Sequence, residues 1–138
     1  VQGAKLALSE TRLGIMPGGG GTQTLARAVG ERRAKELILR AQAFSAEQGA
    51  AWGLVNHVSA PGQVLADALA AAEAIAANGP LAVRQAKKSI HFGLQGDLRT
   101  GCRYEIEAYK RLVSSADRHE GVRAFNEKRK PDFRRHAK

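Results

Sequence analysis

A chain of 138 residues with 43% hydrophobic and 25% charged side chains has the composition of a globular domain, and no stretch approaches 18 consecutive apolar residues, which excludes a membrane-spanning helix. A single cysteine, Cys102, excludes an internal disulfide and fits a reducing compartment. The net charge is +9, and residues 110–138 hold ten Lys/Arg against four Asp/Glu, so +6 of it lies in the last segment.

In chain order, Val1–Leu8 reads as the last strand of a layered core, with Leu6–Leu8 buried. Glu10 follows, eight residues before four consecutive glycines, Gly18–Gly21. From Thr22, the apolar spacing of Leu25, Val29, Ala34, Leu37, Ile38 and Ala41, broken at Gly30, predicts one or two helices. Ser45-Ala46-Glu47-Gln48 is a capping box that opens a short helix ending at Gly53, and Leu54–Val58 reads as a short strand or extended segment. Pro61-Gly62 opens a helix with Val64, Leu65, Ala68, Leu69, Ala72 and Ile75 on one face. Asn78-Gly79-Pro80 closes it, Gly79 being expected in the left-handed position and Pro80 in the next helix's first turn.

Three further helices are predicted. The first, over 81–94, has Val83, Ala86, Ile90 and Leu94 apolar. The second is capped by Asp97, runs through Val113 and buries Leu98, Cys102, Ile106 or Tyr109, and Leu112. The third starts at Asp117 with Glu120 three residues on, contains Val122 and Phe125, and stops at Pro131 before a basic tail expected to fray. The predicted class is mainly α with a small β portion over 1–60, followed by a helical domain over 61–138. Helices this rich in alanine bury little area each, so a layer of them is expected to complete its packing against another subunit.

The stretch Ser9–Gln23 carries the chemistry. Four glycines leave a backbone able to approach a ligand closely, with its N–H groups uncovered, and the following helix points its positive end at whatever lies there. Glu10 can exchange protons with a ligand or water held beside those groups. Other constellations fail. Thr22 follows Gly21 rather than a lysine, so the run is no P-loop, and the sixth position from Gly18 is Gln23, so it is no dinucleotide fingerprint. His119-Glu120 begins a zincin pattern whose second ligand is absent, Arg123 standing there. No Gly-x-Ser-x-Gly elbow is present, and His57, His91 and His136 hold no ligand spacing with Cys102.

These residues carry a resemblance. Glu10 through Leu13-Gly14-Ile15-Met16-Pro17-Gly18-Gly19-Gly20-Gly21-Thr22-Gln23 is similar to the signature of the enoyl-CoA hydratase/isomerase (crotonase) superfamily. Ala34–Leu39, Ser45–Gln48, Trp52–Val58 and Asp117-Arg118 through Ala124-Phe125-Asn126-Glu127-Lys128-Arg129-Lys130-Pro131 follow in family order. The resemblance covers nearly the whole chain but only the C-terminal half of a family member. It implies the end of a crotonase-type α/β spiral with the glycine-rich loop (1–60) and a helical oligomerisation domain (61–138) that forms a trimer or hexamer.

The resemblance further implies that Glu10 is the general acid/base acting with a catalytic water and that Gly18 offers a backbone N–H near that water. Gly19 lies in the loop that floors the site, and Tyr109 and Lys128 are expected at the coenzyme A nucleotide. Tyr109 is expected either to stack on adenine or to be core; Lys128 either touches a phosphate or is a solvated charge. The oxyanion-hole donors and second carboxylate belong to the other half, so the 138 residues alone are expected to be inactive. Coenzyme A is part of the substrate, and no metal or redox cofactor is implied. The expected compartment is the cytoplasm, or the mitochondrial matrix in a eukaryote. An isomerase or another crotonase-type enzyme is the alternative within the family. An oligomerisation or RNA-binding module is the alternative outside it, although the basic segment has only Phe125 and Phe133 as aromatic platforms and no RRM, KH or zinc pattern.

Overall fold

The computed structural model describes residues 1–133 and divides the chain into two compact units, Val1–Ala68 and a second beginning at Leu69. The first holds a two-stranded antiparallel sheet, β1 (Lys5–Leu6) against β2 (Phe44–Ser45), in the register Lys5 opposite Ser45 and Leu6 opposite Phe44. It also holds a 3-10 turn (Glu10–Leu13) and helices α1 (Gly21–Val29), α2 (Glu31–Leu39) and α3 (Ala46–Ala51). Helix α4 (Val64–Ala76) crosses the division; α5 (Pro80–Gly93), α6 (Leu98–Val113) and α7 (Ala116–Asn126) make up the second unit.

The core of the first unit is Leu25, Ala34, Leu37, Ile38 and Phe44, with Leu8, Val29, Trp52 and Leu54 packed on it. Gly30 breaks the helical run, as its sequence position predicts, by taking φ 81 between α1 and α2. The predicted capping box is formed: Ser45 Oγ accepts from the Gln48 N–H at 3.1 Å, and Gln48 Oε1 accepts from the Ser45 N–H at 2.9 Å. The Ala46 N–H donates to the Ala4 carbonyl and the Gly3 N–H to Glu47 Oε1, so the start of α3 is tied to the strand that precedes the site.

Several expectations are corrected. Strand β1 is Lys5–Leu6 rather than Val1–Leu8, Leu6 and Ala7 are exposed rather than buried, and Leu54–Val58 forms no strand pairing among the described residues. The Leu54 and Val55 N–H groups are turned back onto the Gly49 carbonyl by Gly53 at φ 76, leaving Phe44–Ser45 as the partner strand. Gly79 is not left-handed: at φ −58 it is the N-cap of α5, with Pro80 in the first turn as expected. Ala41 is buried as predicted, but past the end of α2 rather than on it. Helix α7 is capped by Ser115, whose Oγ accepts from the Arg118 N–H. Asp117 instead accepts the Leu81 N–H at 3.1 Å, tying α7 to the start of α5.

Asp97 caps α6 through the Thr100 N–H, as predicted, but the apolar face expected to be buried is not. Leu98 is 83% and Tyr109 63% exposed, and Ile106 and Cys102 are also open. Helix α6 meets α5 one stripe round, where Gly93 and Gly101 bring the two backbones together and Phe92 stacks on Tyr104 at 5.8 Å. The faces read on α4 and α5 are likewise exposed at Leu65, Leu69, Ile75, Ile90 and Leu94. The part of the basic tail at 134–138, His136 included, lies outside the described residues. Among the described residues no single helix is long and apolar enough to cross a membrane. Ser45→Ala removes one half of the box and is expected to destabilise the first unit by about 1 kcal/mol, read as a lower urea midpoint at unchanged slope.

Candidate active site

Glu10 opens the 3-10 turn that leaves β1, and it is half-buried. Its Oε2 is shut off from solvent and has no hydrogen-bond partner among the described residues. A buried carboxylate oxygen without a donor is costly, on the order of 1–3 kcal/mol or more for a charged group, and such atoms ask for a missing partner such as a water or a ligand. The turn is pinned by its neighbour: Thr11 Oγ1 donates to the Ile38 carbonyl at 2.7 Å, at the C-terminal end of α2. Gly14, in the left-handed region at φ 74, closes the turn, and its N–H donates to the Thr11 carbonyl.

The four glycines divide their work. Gly20 caps α1 at φ 89, where an L side chain is strained, and its carbonyl accepts the Gln23 and Thr24 N–H groups and the Thr24 hydroxyl. A Cβ on Gly21 would stand 2.9 Å from Pro17 Cβ and 3.4 Å from the Leu8 methyls. That close approach joins the segment before Glu10 to the loop after it. Gly18 and Gly19 carry neither constraint: both are exposed, their φ is not positive, and a Cβ there would meet nothing nearer than the Met16 carbonyl at 4.0 Å. Within this unit their bareness serves no packing purpose.

Tyr109 and Lys128 lie in the second unit. Tyr109 is on the exposed face of α6, where it lines a cleft of about 260 Å³ with Ala82, Leu112, Asp117 and Phe133. The core alternative for Tyr109 is thereby corrected: within its unit it packs on the rim of an open cleft, because α6 turns Gly101 and Tyr104 toward α5 instead. Lys128 is exposed, is not among the residues lining that cleft, and sits just past α7 at φ 54.

An ion-pair cluster escaped the sequence reading. Glu120, expected to serve the start of α7, is buried and faces the chain beyond the helix. Arg129 forks onto it, Nη1 to Oε1 at 2.6 Å and Nη2 to Oε2 at 3.2 Å, and the Asp132 N–H donates to Oε1 at 2.9 Å. Arg129 Nε also reaches Glu127. The Arg129 guanidinium, then the Asp132 N–H, hold the Glu120 carboxyl at about 2, below its ordinary 4.5. Nine residues separate the pair, a spacing no local helix rule flags. No three His, Cys, Asp or Glu side chains among the described residues cluster as metal ligands would.

The sequence profile of the enoyl-CoA hydratase/isomerase family matches residues 1–136. The chain belongs to that family. It is similar to a crystal structure of the enoyl-CoA hydratase from Bacillus anthracis, with a TM-score of 0.91 and 47% identity over 94% of this chain and 50% of that one. It is 43% identical to the mitochondrial methylglutaconyl-CoA hydratase of Mus musculus over 95% of this chain and 43% of that protein. It is 41% identical to the short-chain-enoyl-CoA hydratase of Clostridium acetobutylicum over 92% of this chain and 49% of that protein. The chain thus spans about half the length of the relatives it matches, and its fold, mainly helical with one short sheet, matches about half of a crotonase-type fold.

Because the Glu120 carboxyl is held below its unfolded value, its contribution to stability is complete above about 4.5 and is lost as pH falls toward about 2. Arg129, Glu127, Arg123 and the Asp132 N–H are the groups acting on it or its partner. Hydrogen exchange followed from pH 5 to pH 2, corrected for intrinsic rates, is expected to show residues 127–132 losing protection before α2, where no comparable ion pair is buried.

Proposed function

We propose that this chain is the C-terminal half of an enoyl-CoA hydratase, in which Glu10 is the general acid/base for adding water across the double bond of a 2-enoyl-CoA thioester. One observation carries the reading: the Glu10 carboxylate has an oxygen removed from solvent and left without a donor, on a turn locked to α2 and joined by Leu8 to a loop of bare glycines. A carboxylate needed only for solubility would turn both oxygens to water. Family membership supports the same reading.

In the reaction so assigned, the oxygen of water bonds to the β-carbon as one of its O–H bonds breaks and that proton passes to a carboxylate of the site, and the π electrons move toward the thioester carbonyl. The α-carbon then takes a proton as the carbonyl re-forms. Glu10 holds the water and manages that proton, a contribution on the order of 10²–10⁴ in rate. The Gly18 N–H orients the water, and Gly19, with no Cβ, lets the thioester lie against the loop. Two backbone donors on the carbonyl oxygen, each worth about 3–4 kcal/mol of barrier, and a second carboxylate come from outside these 138 residues. Only water and protons move, so the chemistry calls for no metal and no redox cofactor.

The family resemblance assigns Tyr109 and Lys128 to the nucleotide of coenzyme A, and the exposure of both side chains leaves them accessible to it. The exposed apolar residues of α4, α5 and α6 support assembly into a trimer or hexamer that covers them. The compartment that fits is the cytoplasm, or the mitochondrial matrix if the source is eukaryotic.

Crotonyl-CoA hydration, followed by loss of the enoyl thioester absorbance and by identification of the 3-hydroxyacyl product, tests the assignment. In the complete enzyme Glu10→Gln is expected to lower kcat by at least about 10²-fold with KM within a few-fold, and the 138-residue chain alone is expected to be inactive. A Glu10→Gln enzyme of unchanged kcat, or hydration by the isolated chain, refutes it. A product with its double bond moved rather than hydrated assigns an isomerase instead.

A further inference from the structure

Lys128 occupies a position that favours glycine. Helix α7 ends in a Schellman turn: the Lys128 N–H donates to the Phe125 carbonyl at 3.2 Å, and the Arg129 N–H to the Ala124 carbonyl at 3.0 Å. The residue at the bend must take positive φ, and Lys128 does so at φ 54, a conformation in which its Cβ crowds the following carbonyl. Turn formation alone therefore favours a glycine at this position over the lysine present. A strained backbone persists when its surroundings over-determine it, and here they do.

The chain beyond the bend is fastened at two places. Glu120, buried on α7, takes both the Arg129 fork and the Asp132 N–H, so residues 129 and 132 converge on one carboxylate. Phe133 then seats its ring on two glycines, where a Cβ on Gly79 or Gly121 would stand 3.6 or 3.8 Å from it. Lys128 is left at the crest of this strap, exposed, and among the described residues no carboxylate lies within ion-pair distance of its ammonium. Glu120 consumes the neighbouring arginine and leaves the lysine available.

We propose that Glu120 is a positioning residue for Lys128: by binding Arg129 and the Asp132 N–H it fixes the course of the strap and presents the Lys128 ammonium as a preformed cation for a phosphate of the substrate's nucleotide. The inference rests on the reading of Lys128 as a coenzyme A contact. Lysine suits the task as a compact point charge, and holding its backbone in advance removes an ordering cost from binding.

The experiment is a double-mutant cycle in the complete enzyme. Lys128→Gly, Glu120→Gln and the double variant are compared by calorimetric binding of CoA and of 3′-dephospho-CoA, by kcat and KM, and by Tm. Lys128→Gly is expected to raise Tm by about 2 °C, because glycine relieves the bend, and to weaken CoA binding about 10-fold. Glu120→Gln is expected to weaken CoA binding about 5-fold with kcat within two-fold, and to add nothing further in the Lys128→Gly background. Loss confined to CoA identifies the 3′-phosphate as the partner, and equal loss on both ligands identifies the pyrophosphate; either supports the proposal.

If Glu120→Gln does not fold, Arg129→Lys, which keeps the charge and removes the fork, takes its place in the cycle. Additive losses, or a fall in kcat equal to the loss of binding, make Glu120 merely structural and overturn the inference while leaving Lys128 as a contact. Unchanged CoA binding in Lys128→Gly removes the contact itself, and the inference with it.

Discussion

The carbonyl of Ile38 joins the candidate acid to the core. It closes α2 by accepting the Ala41 N–H at 3.1 Å, and it also accepts the Thr11 hydroxyl at 2.7 Å. One end of α2 is thus capped by its own chain and, through Thr11, by the turn that begins at Glu10. Ile38 and Leu37 are buried in the same core as Leu25 and Phe44, so the anchor for the turn is a rigid helix rather than a loop. Thr11 is the residue next to Glu10, whose Oε2 is shut off from solvent.

Among the described residues, two helices end on a left-handed residue that is not glycine. At α2 the residue is Ala41, which is buried at 3% exposure: its N–H reaches the Ile38 carbonyl and the next N–H, of Gln42, the Leu37 carbonyl. At α7 it is Lys128, exposed, with the same pair of backbone bonds. A methyl group at the first bend fills the core, so burial offsets the crowded backbone there. The lysine stem at the second fills nothing, and the ionic fastening of Arg129 to Glu120 is what holds the bend. The same backbone device thus carries a buried methyl group in one unit and an exposed lysine in the other.

The exposed apolar residues have a plain physical meaning. Leu65, Leu69, Ile90, Leu94, Leu98 and Ile106 lie on or at the ends of helices that are well formed and correctly spaced, yet these residues face away from their neighbours within the chain. Apolar surface of this extent is the kind that partners cover, and the chain spans about half the length of the relatives it matches.

What the sequence determined was local. The helix breaks at Gly30 and Gly96, the capping box at Ser45 and the cap at Asp97 depend on a few adjacent residues, and they appear where the residues require them. The glycine run beside Glu10 was legible as a candidate site for the same reason: its signal is contiguous. Tertiary structure decided everything that joins distant residues. Phe44–Ser45 becomes a strand only because Lys5–Leu6 lies beside it, and Asp117 leaves its own helix for Leu81. Glu120 finds Arg129 and Asp132 only once the chain has turned at Lys128. The side of α6 that meets α5 was set by two glycines that let the backbones approach, not by where its apolar residues fall. Periodicity locates a helix and its apolar stripe, but which stripe is buried depends on the partner, and the partner is not encoded locally.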